Sequence, residues 1–165
     1  MAKQQDKIVI NDDYDTCLKL CQDANNAYIS LLKDKEQIMD FTDYLSDSNL
    51  AEYVQYRAKN YPNGVCAASG SFYLTNYESI SNECVFIKGQ ISIQNGSTVE
   101  NLGEAAFVLK NENGRIVIED WYHNDPDSLD VMYRANEYEC IRYVDFWECD
   151  EKYGPFMERI KSKAE

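Results

Sequence analysis

The sequence predicts an α+β fold in which N-terminal helices pack against a curved antiparallel β-sheet and a short helix closes the chain. Three observations predict it. Apolar residues recur at helical spacing through residues 12–60, then switch to strand-like runs between Phe72 and Tyr122. The runs are separated by Ser, Asn and Gly clusters, with turn signals at Asn95-Gly96 and Asn111-Glu112-Asn113-Gly114. Neighbouring strands joined by such short turns pair antiparallel, because a parallel crossover needs about a dozen residues or more.

The elements follow in chain order. Lys7 to Ile10 reads as a short strand in a polar lead-in. From Asp12 or Asp13 a helix begins, with Tyr14, Cys17, Leu18, Cys21, Ala24, Tyr28, Leu31 and Leu32 on one stripe. Asp34 and Gln37 have capping-box spacing and predict a second helix with Ile38, Phe41 and Leu45 inward. Asn49 and Glu52 repeat the device for a third, carrying Leu50, Val54 and Ala58, which stops at Tyr61-Pro62-Asn63-Gly64. Phe72 to Tyr77 and Cys84 to Ile93 are β-rich, and a hairpin spans residues 104–122.

The hairpin register can be argued. A two-residue Asn113-Gly114 turn sets Phe107 opposite Asp120 and Val108 opposite Glu119, mixing apolar with acidic side chains. A four-residue loop instead pairs Leu109 with Ile116, Val108 with Val117 and Phe107 with Ile118, and is the predicted register. It places Asp120 on the face of Ile116 and Ile118, and Trp121 on the other. Beyond the hairpin, Asp125 as N-cap and Pro126 at the first helical position predict a helix to about Asn136. Glu139 to Trp147 reads as one more strand, and Gly154-Pro155 opens a closing helix with Phe156, Met157 and Ile160. One domain over residues 1–165 is expected.

Charge narrows the function classes. With 29 acidic against 16 basic residues the net charge is −13, which opposes direct nucleic-acid binding, since phosphate contacts need Lys and Arg. It suits a basic partner through electrostatic steering, or simply solubility. No apolar run approaches the roughly 20 residues of a membrane span, and the first residues lack a signal peptide's apolar stretch. The reading is a soluble, cytoplasmic protein, or an exported one if a leader has been removed. Six cysteines could form disulfides in an oxidising compartment, but they show no CxxC pair, and buried thiols are the simpler reading.

The order of elements, the stretch AYISLLKDKEQIMDFTDYLSDSNLAEYV and the hairpin FVLKNENGRIVIEDW together resemble the NTF2-like superfamily, over about residues 12–122. Lys110, Gly114, Arg115, Ile116 and Ile118 stand in the turn pattern that many members carry between their last two long strands. The resemblance implies a cone in which a curved sheet wraps a helix. It also implies two kinds of relative: isomerases, dehydratases and hydrolases working inside the cone, and non-catalytic binding modules, secretion components and immunity proteins.

An enzymatic use of such a cone needs a general base with a tyrosine hydroxyl beside it. Asp120 and His123 are the candidate bases, and Tyr122, Tyr73 or Tyr77 the candidate donors. A binding use favours aromatic anchors rimmed by carboxylates, and Trp121, Tyr138, Tyr143, Trp147 and Tyr153 are the candidates. Asp120, His123, Asp125, Asp127 and Asp130 include hard ligands, but they lack the pattern of a calcium loop, so no metal and no cofactor is expected. No Gly-rich phosphate loop, GxSxG elbow or HExxH occurs. The reading is a non-catalytic acidic module that recognises a protein partner, a basic one of the inhibitor or immunity type in its sharpest form, or a small ligand in the sheet concavity. A homodimer through the sheet is compatible with it. The alternative is a cofactor-independent isomerase, dehydratase or hydrolase using Asp120 and a tyrosine.

Overall fold

The computed structural model describes residues 13–62, 69–134 and 146–163. Helix α1 (Tyr14–Lys33) and helix α2 (Ser48–Lys59) precede a four-stranded antiparallel sheet of β1 (Ser69–Ser81), β2 (Cys84–Asn95), β3 (Thr98–Glu112) and β4 (Arg115–Asn124). The strands lie in the order β1-β2-β3-β4. A one-turn helix α3 (Leu129–Tyr133) follows, and helix α4 (Asp150–Lys163) closes the described chain. The α+β class is as expected.

Helix α1 forms where its apolar stripe predicts, burying Cys17, Cys21, Ala24, Tyr28, Leu31 and Leu32. Against it, on one face of the sheet, lie Phe72, Val85, Ile87, Ile91, Ile93, Phe107, Leu109, Ile118 and Trp121. Each fully buried large apolar side chain of this set contributes about 1.5–3 kcal/mol. Gly89 makes one of these contacts sterically feasible, because a Cβ there would lie 2.4 Å from the Phe72 ring. Phe72 can thus meet Phe107 edge-on, with centroids 5.5 Å apart. The opposite face carries a smaller buried cluster of Phe86, Ala106, Val108 and Tyr122.

Residues 34–47 correct the sequence reading, for they form turns and a strap instead of the second helix. The strap lies along the edge of β4: the Ile118 amide donates to Tyr44 O at 2.7 Å and the Ser46 amide to Ile118 O at 2.9 Å. Pairing with an otherwise open strand edge outweighs a helix propensity that only Asp34 and Gln37 advertised. Phe41 and Leu45 are inward as expected, but Ile38 is 89% exposed. The N-cap of α2 is Asp47, accepting from the Asn49 amide at 2.7 Å. Asn49, the expected cap, instead donates to Trp147 O and the Asp150 carboxylate.

The β3–β4 register is corrected too. The turn is the two-residue one, with Glu112 opposite Arg115 and both Asn113 (φ 54°) and Gly114 (φ 84°) in the left-handed region that such a hairpin turn requires. Leu109 still faces Ile118 in that register, and a bulge on β4, opposite Val108 and Leu109 of β3, then shifts the pairing by one residue, so Val108 faces Asp120 and Phe107 faces Trp121. The extra residue, Glu119, is ion-paired with Lys110 at 3.2 Å. The bulge turns Trp121 onto the helix-facing side with Ile118, while Asp120 sits opposite Val108 on the other side, the reverse of the faces predicted.

After β4, Asp125 heads a turn, accepting from the Asp127 amide at 2.9 Å, and Ser128 caps α3, so the predicted helix starts later and spans five residues. Helix α4 begins at Asp150, earlier than Gly154, and contains Pro155 in its second turn. The predicted strands at 7–10 and 139–147 lie outside the described residues except at the second one's end, where Phe146 and Trp147 form a turn. Cys17, Cys21, Cys84 and Cys149 are not joined in disulfides, and the first two are buried. Cys66 and Cys140 lie outside the described residues. No described helix is long and apolar enough to cross a membrane.

Candidate functional site

The last residues of β4 run into the densest polar cluster of the described chain. Helix α2 places Arg57 on its buried stripe, three residues after Val54 and four after Tyr53. There the guanidinium is 0% exposed and donates to Asp130 Oδ2 at 2.6 Å and to Trp121 O at 2.8 Å. Asp130, on α3, also accepts from the Tyr53 hydroxyl at 2.7 Å and from the His123 amide at 2.7 Å. One carboxylate thereby joins α2, α3 and the end of β4.

Arg134 extends the cluster, donating to Asp130 at 3.2 Å and to Asp120 Oδ2 at 2.6 Å. Asp120 is itself 1% exposed and accepts from the Trp121 amide at 2.7 Å and from Trp147 Nε1 at 2.9 Å. Two guanidinium groups and two carboxylates therefore balance in charge, which is what keeps such burial tolerable. Burial works against ionisation of Asp130, yet Arg57 and Arg134, with the His123 amide and the Tyr53 hydroxyl, hold its carboxyl below the usual carboxylate range.

His123 lies on the helix-facing side with no exposed surface. Its Nε2 stands 2.7 Å from Leu102 O, an acceptor, so Nε2 carries the proton. Nδ1 then accepts from the Tyr28 hydroxyl at 3.3 Å, and Tyr28 in turn accepts from Arg57 Nε at 3.2 Å. Burial, and next the Arg57 charge, lower the pKa of the imidazole. The ring is a neutral interior link between α1, α2 and the sheet.

The structure places the candidates that fall among the described residues. Asp120, Tyr122 and His123 are all buried, but on two faces: Asp120 and Tyr122 away from the helices, His123 toward them. The Tyr122 hydroxyl donates to Asp130 O at 3.3 Å. Asp120 is bonded to Trp121, Trp147 and Arg134, not to a tyrosine or to His123. Of the alternative donors, Tyr73 is 60% exposed, and Tyr77 packs at 5.1 Å from Tyr14. The proposed anchors Trp121, Trp147 and Tyr153 are core residues, Trp147 stacking on Tyr53 at 4.9 Å. Apolar burial outcompetes display here, because rings of that area are worth more inside. Tyr138 and Tyr143 lie outside the described residues.

Arg57 and Arg134 were missed by sequence reasoning. Arg57 was visible in principle, as a charge within the Leu50–Tyr53–Val54–Arg57–Ala58 apolar stripe. Arg134 sits four residues after Asp130, a spacing that signals a local ion pair and nothing of its reach to Asp120. Among the described residues, no group of three or more His, Cys, Asp or Glu side chains is arranged to hold a metal ion.

No family model matches the chain, and no curated protein matches it. Among solved structures, it is similar to an NTF2-like protein of unknown function from Shewanella oneidensis, at 15% identity and TM-score 0.42, over 63% of this chain and 92% of that one. A protein of unknown function from Mycobacterium tuberculosis aligns at 11% identity and TM-score 0.40, over 82% and 89%. A chain whose name marks it as a substituted NTF2 variant aligns at 20% identity and TM-score 0.40, over 68% and 96%. The resemblance to NTF2-like proteins is a weak one. The α+β fold stands on the strand order and registers above.

Proposed function

We propose that this chain is a non-catalytic acidic module that recognises a basic protein partner, in the manner of an inhibitor or immunity protein. The observation that carries the reading is the commitment of the acid–base groups to the fold: Asp120, Asp130 and His123 are each no more than 1% exposed and each bonded internally. A general base must reach a proton on its substrate, and these face only protein. By contrast, Asp40, Asp43, Glu148, Asp150 and Glu151 are at least partly exposed. On the helix-facing side of the sheet, Phe72, Phe107, Trp121, Tyr28 and Phe41 fill the concavity themselves, which favours recognition at the outer surface over a small ligand inside.

Capture from a cell extract tests it. The protein is used as bait at about 50 mM and about 500 mM salt, either side of the ionic strength at which screening becomes short-ranged. A basic protein retained at low salt and released at high salt is the expected result. Capture indifferent to salt removes the basic partner.

A further inference from the structure

A cavity of about 380 Å³ opens between the strap and the tip of the β3–β4 hairpin. Such a volume is at the small end of the roughly 300–1,000 Å³ typical of ligand pockets, which suits one or two side chains and no large cofactor. Its floor is apolar, with Phe41, Leu45, Ala51 and Val117. Its charged lining is Asp40, Asp47, Glu112 and Arg115, three carboxylates against one guanidinium. It is separate from the buried Arg57–Asp130 cluster.

The walls are fixed by contacts that reach in from three elements. Arg115 donates to Thr42 O, tying the hairpin tip to the strap. From α2, the Gln55 side chain accepts from the Met39 amide at 3.2 Å and donates to Gln37 O at 2.9 Å. The strap's bonds to Ile118 hold the floor against β4. Two of the carboxylates are oriented by the backbone. One oxygen of Asp40 accepts from the Thr42 amide and hydroxyl at 2.9 and 2.7 Å, and one oxygen of Asp47 caps α2. The bonds from Thr42 also hold the Asp40 carboxyl below the usual carboxylate range.

We infer that this groove seats an arginine side chain of the basic partner. The inference rests on the reading of a basic partner given above and assigns it a place. An arginine combines an apolar stem with a flat, weakly hydrated cation, so its stem can lie against the half-buried Met39 and Ala51, beside the buried floor residues, while its head meets Asp40, Asp47 and Glu112. Charge complementarity selects this occupant. An anionic group would meet three carboxylates, and a purely apolar one would leave them desolvated without a partner.

The test titrates a fluorescent hexa-arginine peptide into three full-length proteins at low salt. These are the wild type, a groove variant (Asp40→Asn, Asp47→Asn, Glu112→Gln) and a control (Asp15→Asn, Glu100→Gln, Glu158→Gln) with the same charge removed outside the groove. Asparagine keeps the helix cap at position 47, and circular dichroism confirms that each variant is folded. The expected result is affinity lowered roughly tenfold in the groove variant and less than about threefold in the control, the scale set by removing three partly exposed ion pairs together. Amide shifts in the wild type should centre on Leu45, Ala51 and Val117. Equal losses in both variants, or equal binding of a neutral hexaglycine peptide, overturn the groove. Loss of salt-sensitive capture in the wild type would instead sink the basic partner itself, so the two failures are distinguishable.

Discussion

At the scale of single residues, Asp120, Asp130 and His123 are buried and bonded within the fold. Asp130 and His123 make stability depend on pH in two windows. The His123 pKa is lowered in the fold, first by burial and then by Arg57. Its contribution is therefore complete above the ordinary histidine value of 6.5 and is lost as pH falls toward the lower folded value, because only the unfolded state takes up the proton. Asp130, also lowered, contributes fully above the ordinary aspartate value of 3.8 and is lost below it as pH passes through the folded value. Urea midpoints should thus fall from pH 7.5 to pH 5.5, and in His123→Gln that slope should be absent, whatever the variant's absolute stability. An unchanged slope would mean another group titrates there. The sequence showed the Asp120–His123 cluster but not its burial, since that depends on Arg57 and Arg134, whose partners are 73 and 14 residues away in the chain.

At the scale of elements, local pattern was informative where the element packs by its own periodicity. Helix α1 was legible because its stripe is long, and the strands because their turn signals are strong. The strap and the bulge were not, since both are decided by a neighbour. Leu45 needs Ile118 beside it, and Glu119 needs Lys110. A paired substitution measures the difference. Ile38→Ser should change the unfolding free energy by no more than about 0.5 kcal/mol, as at an exposed site. Leu45→Ala should cost about 2–5 kcal/mol, as at a buried one. A helix presenting both residues inward would make both substitutions costly, and chemical denaturation separates the cases.

At the scale of the whole molecule, we propose that residues 1–165 form one domain, as the length suggests. The contacts of Trp147 with Tyr53 and Asp120 tie the chain beyond residue 146 to α2 and β4. Both tryptophans are buried, so fluorescence reports on the core and far-ultraviolet circular dichroism on the helices. The two signals should give coincident denaturant transitions. Two separated transitions would divide the chain. On the proposed reading, the net charge of −13 acts at this scale too, steering a basic partner over a distance that salt shortens.

The claim on which the functional reading turns is that the imidazole is part of the interior. The chain contains a single histidine, so its ring signals in a nuclear magnetic resonance pH titration belong to His123 without ambiguity. The predicted spectrum is a neutral ring protonated at Nε2, unchanged from pH 8 down to the onset of acid unfolding. A reversible titration near 6.5 in the folded protein would show a ring open to solvent, and would return a general base to the molecule.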